Sequence, residues 1–229
     1  MKKKIKLMVF SITLVVTLSY FLFLLAPGNV QALNFGINAR GYYTTFADTE
    51  VLQRELVLND ENDEWEETLE IDITQAAGFA LGGNIATHPG VKFIIDGGLA
   101  TTSDSDKVTT PDGIDEDLHA SLMLASLRFT GEINLAEFAE MYDIPSILLQ
   151  GGIGYYQGFG EIDSSVLEFS EESLEGGNLG FRIGSGISFD INENMSIQGN
   201  IGYRILEIPL EQHTDFNGLE ISGGFNYNF

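Results

Sequence analysis

The chain has no cysteine and is short of positive charge, with 11 lysines and arginines against 34 acids. The first absence excludes disulfides and thiolate metal sites, while leaving the compartment open. The second excludes nucleic acid as a partner, because phosphate binding needs clustered cations. Four of the cations, Lys2, Lys3, Lys4 and Lys6, crowd the extreme N-terminus; without them 7 cations face 34 acids, a net charge of −27. Proline is scarce as well. Beyond the N-terminal region only Pro89, Pro111, Pro145 and Pro209 occur, all between or at the ends of alternating segments, where a missing donor does no damage. After Ala32 no apolar run approaches the roughly 18 residues of a membrane helix. Any insertion of this part into a bilayer must therefore be by strands.

What is present begins with a leader. The basic start is followed by an uncharged stretch from Leu7 to Ala26 and by Val30 and Ala32 at small-residue positions, so 1–32 is expected to be a secretory signal peptide cut after Ala32. Residues 33–229 then make one domain.

That domain alternates with period two in eight segments: 34–47, 69–86, 91–102, 118–135, 145–158, 178–191, 196–208 and 217–229. In the fourth, for example, Met123, Ala125, Leu127, Phe129 and Ile133 oppose Ser126, Arg128, Thr130, Glu132 and Asn134. The fifth is glycine-rich and the least clean. The connections alternate too: 48–68, 103–117, 159–177 and 209–216 are long or polar, whereas 88–90, 136–144 and 192–195 are shorter. In the last segment Ile221, Gly223, Phe225, Tyr227 and Phe229 share one face, and Ser222, Gly224, Asn226 and Asn228 the other. A soluble β-sandwich also alternates, but it accounts for neither the unequal connections nor the aromatic final residue.

Strand number, alternating loop length and this last strand resemble the small eight-stranded outer-membrane proteins of the OmpA, OmpX and OmpW type across the whole mature chain. The resemblance implies an all-β, antiparallel, up-and-down transmembrane barrel in outer-membrane lipid, with long loops extracellular and both mature termini periplasmic. It also implies that Phe225, Tyr227 and Phe229 are read by the barrel-assembly machinery.

An eight-stranded barrel has room inside only for its own side chains or one small ligand. The polar faces of the segments carry Arg40, Lys92, Arg128, Arg182 and Arg204 together with Glu70, Asp72, Asp96, Glu132, Asp190 and Glu220, so the acids are expected to outnumber the cations. Buried charges must pair, and Arg128 is expected to compensate a carboxylate such as Glu132. Gly82, Gly98, Gly152, Gly184 and Gly224 leave room for long side chains to cross. One reading is an ionic plug that shuts the lumen; the other is a narrow, porin-like path of low conductance lined by the same groups.

Acidic runs at 59–67, 104–106, 112–117 and 171–172 fall in the long connections. Carboxylate clusters suit divalent cations, but none has EF-hand spacing, and a hydrated, self-repelling face explains them as well. Trp65, the only tryptophan, lies in the first run. His119 and Ser121 resemble the His-x-Ser pair of lipid A deacylases of the PagL type, which implies an esterase; yet Leu122 stands where that family has Asn, and Glu132, the acid at hand, has the opposite parity. The expectation is a non-enzymatic barrel without cofactor or metal, in a structural or surface-interaction role, with low-conductance transport as the alternative and the esterase as a remote one.

Overall fold

The computed structural model describes residues 34–46, 50–60, 63–88, 90–109, 115–138, 146–164, 172–210 and 213–229. The expected leader and its cleavage point at Ala32 lie outside the described residues. Eight strands close into a barrel: β1 (Asn34–Phe46), β4 (Gln75–His88), β5 (Val91–Thr109), β6 (Asp115–Asn134), β7 (Ser146–Ser164), β8 (Glu172–Asp190), β9 (Met195–Ile205) and β12 (Gly218–Asn228). Each pairs antiparallel with its neighbours in chain order, and β1 pairs with both β4 and β12 to complete the ring. Closure removes every unpaired edge, which is what a strand protein in lipid requires.

Alternation fixes which face turns out. Outward, aromatic and branched side chains sit directly across from one another, as in Tyr43 with Ile221, Ile183 with Tyr203 and Phe129 with Ile153, pairs that favour strand association. The outer wall is apolar and uncovered: Phe79 is 54% exposed, Phe181 59% and Ile183 70%. Water-soluble monomers do not expose a continuous apolar surface of this kind. Among the described residues no helix is long and apolar enough to cross a membrane.

The two ends of the barrel differ. At one end the turns are short. Gly90 takes φ 74° in the β4–β5 turn, a left-handed conformation that glycine adopts without steric cost. After β6, Asn134 caps a single helical turn, Leu135–Phe138, accepting from the Ala136 amide at 3.1 Å, while Glu137 accepts from Asn134 Nδ2 at 2.8 Å and from the Gly90 amide at 3.0 Å. Asn192 closes the β8–β9 turn by accepting from the Asn194 and Met195 amides, each at 2.9 Å; such local bonds are what Asn contributes to turns. The opposite end carries the long connections, two of which contain hairpins of their own: β2 (Glu50–Asp60) with β3 (Asp63–Asp72), and β10 (Glu207–Pro209) with β11 (His213–Asp215).

These hairpins correct two expected boundaries. The segment expected at 69–86 is two elements: 69–72 belong to β3, and the barrel strand starts at Gln75. Residues 73 and 74 belong to neither strand, although the Thr74 carbonyl accepts from the Phe46 amide at 2.8 Å, and Ile73 turns inward, where it is 1% exposed. Both elements have period two, so hydrophobic alternation passes across the break without a signal. Likewise β9 ends at Ile205, and Ile208, expected in that strand, lies in β10. The pairs β5–β6 and β7–β8 run further into their connections than the alternation suggests, because main-chain pairing continues where polar residues occupy both faces.

Candidate functional site: the barrel lumen

Every inward side chain of an eight-stranded barrel shares one narrow space. Here that space is stratified. Its middle holds charge. Asp96 on β5 stands directly across from Arg128 on β6 and accepts from Arg128 Nε at 2.7 Å, and it is also bonded to Arg40 of β1. Glu220 on β12 lies 2.9 Å from Arg182 Nε and 3.6 Å from Arg128 Nη1. Both carboxylates have side chains 0% exposed, so their charge depends on these guanidinium partners rather than on water.

Glycines make the crossings possible. Arg182 reaches Glu220 over Gly202, where a Cβ would come within 3.1 Å of the guanidinium carbon. Gly154 faces Arg128 across β6–β7, and a Cβ there would meet its Cγ at 2.9 Å. Of the glycines expected to leave such room, Gly224 stands across from Arg40, Gly82 from Asp96 and Gly152 from Arg182, whereas Gly98 and Gly184 face Ser126 and Gly202.

Toward the short turns the lining becomes amide-rich. Gln150 donates through Nε2 to Glu132 at 2.7 Å and to Asn200 at 3.1 Å, and accepts from Arg182 Nη1 at 2.7 Å. Asn226 donates to Gln198 at 3.1 Å. Glu132 lies directly across from Lys92, whose ammonium is 3.7 Å away and partly exposed.

Toward the long connections the lumen turns apolar. Tyr42, Phe46, Ile73, Ala76, Ala80, Ala100, Leu122, Leu124, Tyr156, Leu206, Ile208 and Phe216 form one buried cluster. Arg204 sits at its lower boundary, 5.4 Å from the ring centroids of both Phe46 and Tyr156, while Arg128 lies 4.9 Å from that of Tyr42. Cation–π contact of this kind is worth more where water is absent, and the Nε and Nη2 of Arg204 hydrogen-bond nothing among the described residues.

Several expectations change. Glu70 and Asp72 belong to β3, paired with β2 outside the ring, so they are not part of the barrel wall. Asp190 is exposed at the end of β8. Among the described residues the buried charges are Arg40, Arg128, Arg182 and Arg204 against Asp96, Glu132 and Glu220, so there cations outnumber acids, the reverse of the expected balance. The partners of Arg128 are Asp96 and Glu220, and Glu132 is engaged elsewhere. Gln150, Asn200 and the apolar mouth were not singled out from the sequence; Leu122 and Leu124, apolar on an otherwise polar face, were the available signal for the mouth.

His119 and Ser121 both face outward and are exposed. Glu132 is buried on the inner face, about 43 Å further along β6 at the usual rise per residue, and bonded to Gln150. These three residues do not form one site. The acidic runs at 59–67, 104–106, 112–117 and 171–172, and Trp65, have side chains outside those described.

No family model and no curated protein matches the chain. Among solved structures it is similar to the outer membrane protein OprG from Pseudomonas aeruginosa, at 13% identity and TM-score 0.51, covering 87% of this chain and 97% of that one. It is also similar to the attachment invasion locus protein Ail of Yersinia pestis (15% identity, 86% and 99% covered, TM-score 0.48) and to Neisserial surface protein A (12%, 87% and 100%, 0.48). The likeness to OprG is one of fold: this chain is an eight-stranded barrel of the outer-membrane kind.

Proposed function

We propose that the protein is a non-enzymatic outer-membrane barrel whose lumen is permanently closed, and whose role is structural or in surface interaction through its acidic long connections. The observation that carries this is the shared use of Asp96 and Glu220, each holding arginines from two other strands, with Arg128 on β6 reaching Glu220 on β12 from the opposite side of the ring. Cross-braced side chains of this length leave no continuous aqueous path, and opening one would strand buried charges at a cost of several kcal/mol per ion. The apolar wall supports lipid as the surrounding partner. The protein is oriented with the long connections outside the cell and the short turns and strand termini in the periplasm, and Phe225, Tyr227 and Phe229 guide its assembly.

Reconstitution in planar bilayers tests closure. The expected record is silent, and a steady unitary current from the wild-type barrel would replace this reading with the narrow channel. Protease added to intact cells tests orientation: cleavage near 59–67 or 112–117 is expected, with none at 192–195, and the opposite pattern inverts the topology.

A further inference from the structure

The β9–β12 connection does not lie over the barrel rim as a solvated loop. From Leu206 to Leu210 it turns inward and keeps a strand's alternation, with Leu206 and Ile208 buried at 1% and 0% and Glu207 and Pro209 exposed. On the return, Phe216 is 0% exposed, and its ring meets Phe46 edge-on at 5.4 Å between centroids. Two bonds pinch the base: the Leu206 amide donates to Asn217 Oδ1 at 2.8 Å, and the Phe216 amide to the Leu206 carbonyl at 2.7 Å.

The seat for this segment is cut into the barrel wall. Gly158 on β7 and Gly176 on β8 stand directly across from each other. A Cβ at Gly176 would lie 2.1 Å from the Pro209 carbonyl oxygen and 3.2 Å from Ile208 Cγ2; one at Gly158 would lie 3.3 Å from Leu210 and 3.7 Å from Ile208. At Gly176 the connection thus rests against bare backbone, closer than a side chain would permit, and at Gly158 it packs at ordinary to tight contact.

We infer that residues 206–210 and 213–217 form a strap that seals the long-connection mouth of the lumen and unseats as a unit without opening the barrel. The strap's hairpin is a two-stranded sheet separate from the ring, so releasing it breaks no barrel-wall pairing. Against its seat at Gly158 and Gly176 the strap is packed rather than strand-paired, and the two hydrogen bonds lie within the strap and hold it together as a unit; an element so placed belongs with those that open locally below the global unfolding free energy. Beneath it the Asp96 and Glu220 crossings are untouched. The lumen therefore has two closures in series, one apolar and releasable, the other ionic and fixed. This inference does not depend on the role proposed above.

Because the chain lacks cysteine, single-cysteine variants of the folded, membrane-embedded barrel report the strap directly. Ile208→Cys and, as an exposed control, Asp215→Cys are reacted with a water-soluble maleimide. The expected result is reaction at position 208 about a hundredfold slower than at 215, as for a site reached only through local opening. Adding Gly176→Val, which removes the seat, should bring the rate at 208 to within about tenfold of the control while the barrel keeps its heat-modifiable gel mobility. Equal rates at 208 and 215 in the otherwise unaltered barrel overturn the strap, and so does continued protection at 208 in a folded Gly176→Val barrel. Should Gly176→Val fail to fold, the first comparison decides alone. Conductance plays no part in these readouts, so a current in planar bilayers would defeat the permanent closure and leave the strap standing.

Discussion

The middle of the lumen and its long-connection mouth are both fully buried, but they are filled on opposite principles. In the middle, Asp96, Glu220, Arg40, Arg128 and Arg182 each need a particular partner at a particular distance. In the mouth, Phe46, Leu122, Leu124, Ile208 and Phe216 need only to fill space. A buried charge left alone costs far more than a small change in apolar packing. The ionic region is therefore the brittle part of the molecule and the mouth the tolerant part.

The sharpest way to break that contrast is at the shared carboxylate. Asp96→Asn keeps volume but leaves Arg40 and Arg128 without their common counter-charge, and the expected loss is about 3–5 kcal/mol, the usual penalty for breaking a buried pair. Reversible urea unfolding in lipid vesicles measures it. Arg128→Met should cost a similar amount, and the double variant should cost less than the two losses added, with a coupling of about 0.5–3 kcal/mol. Strict additivity would mean the 2.7 Å contact contributes nothing.

A second comparison places the same new residue in the mouth and in the amide layer that borders the ionic middle through Arg182. Gln150→Met leaves Glu132 Oε2, Asn200 Oδ1 and Arg182 Nη1 each short of a partner, at about 1–3 kcal/mol for every group left unpaired. Leu124→Met exchanges one apolar side chain for another of similar volume and should cost under about 1.5 kcal/mol. Equal losses would show that the polar and apolar parts of the lumen are not built differently.

The same division explains what the sequence could and could not reveal. Inward parity is a local property, so Arg40, Asp96, Arg128, Arg182, Arg204 and Glu220 could all be assigned to one face from neighbours two residues apart. Partnership is not local. Only the pairs directly across a ladder, Asp96 with Arg128 and Lys92 with Glu132, follow from register, and register depends on where each turn begins. The crossings from Arg40 to Asp96 and from Arg182 to Glu220 skip a strand, and they depend on a glycine or alanine beneath them. Glu70 and Asp72 were misplaced because a hairpin and a barrel strand share one period. The mouth was hidden for a related reason: Leu206 and Ile208 were read as the end of a barrel strand and Phe216 as part of a polar connection, and the close seat of Ile208 depends on glycines at 158 and 176 that are distant in sequence.

The smallest effect lies where the ionic region meets the short-turn end. Lys92 Nζ is 3.7 Å from Glu132 Oε1, its side chain keeps 22% of its exposure, and Glu132 retains a 2.7 Å bond from Gln150 without it. Solvent screens such a pair, so Lys92→Met should cost no more than about 1 kcal/mol. Salt separates this residue from those deeper in the barrel. Raising ionic strength to 1 M shortens the screening length to about 3 Å, so the difference between wild type and Lys92→Met should shrink toward zero in high salt. The loss on Asp96→Asn should persist, because both its guanidinium partners are buried beyond the reach of mobile ions. A salt-insensitive loss at Lys92 approaching that at Asp96 would move the boundary of the dry region down to the short turns, and the lumen would then be ionic and closed along all but its apolar mouth.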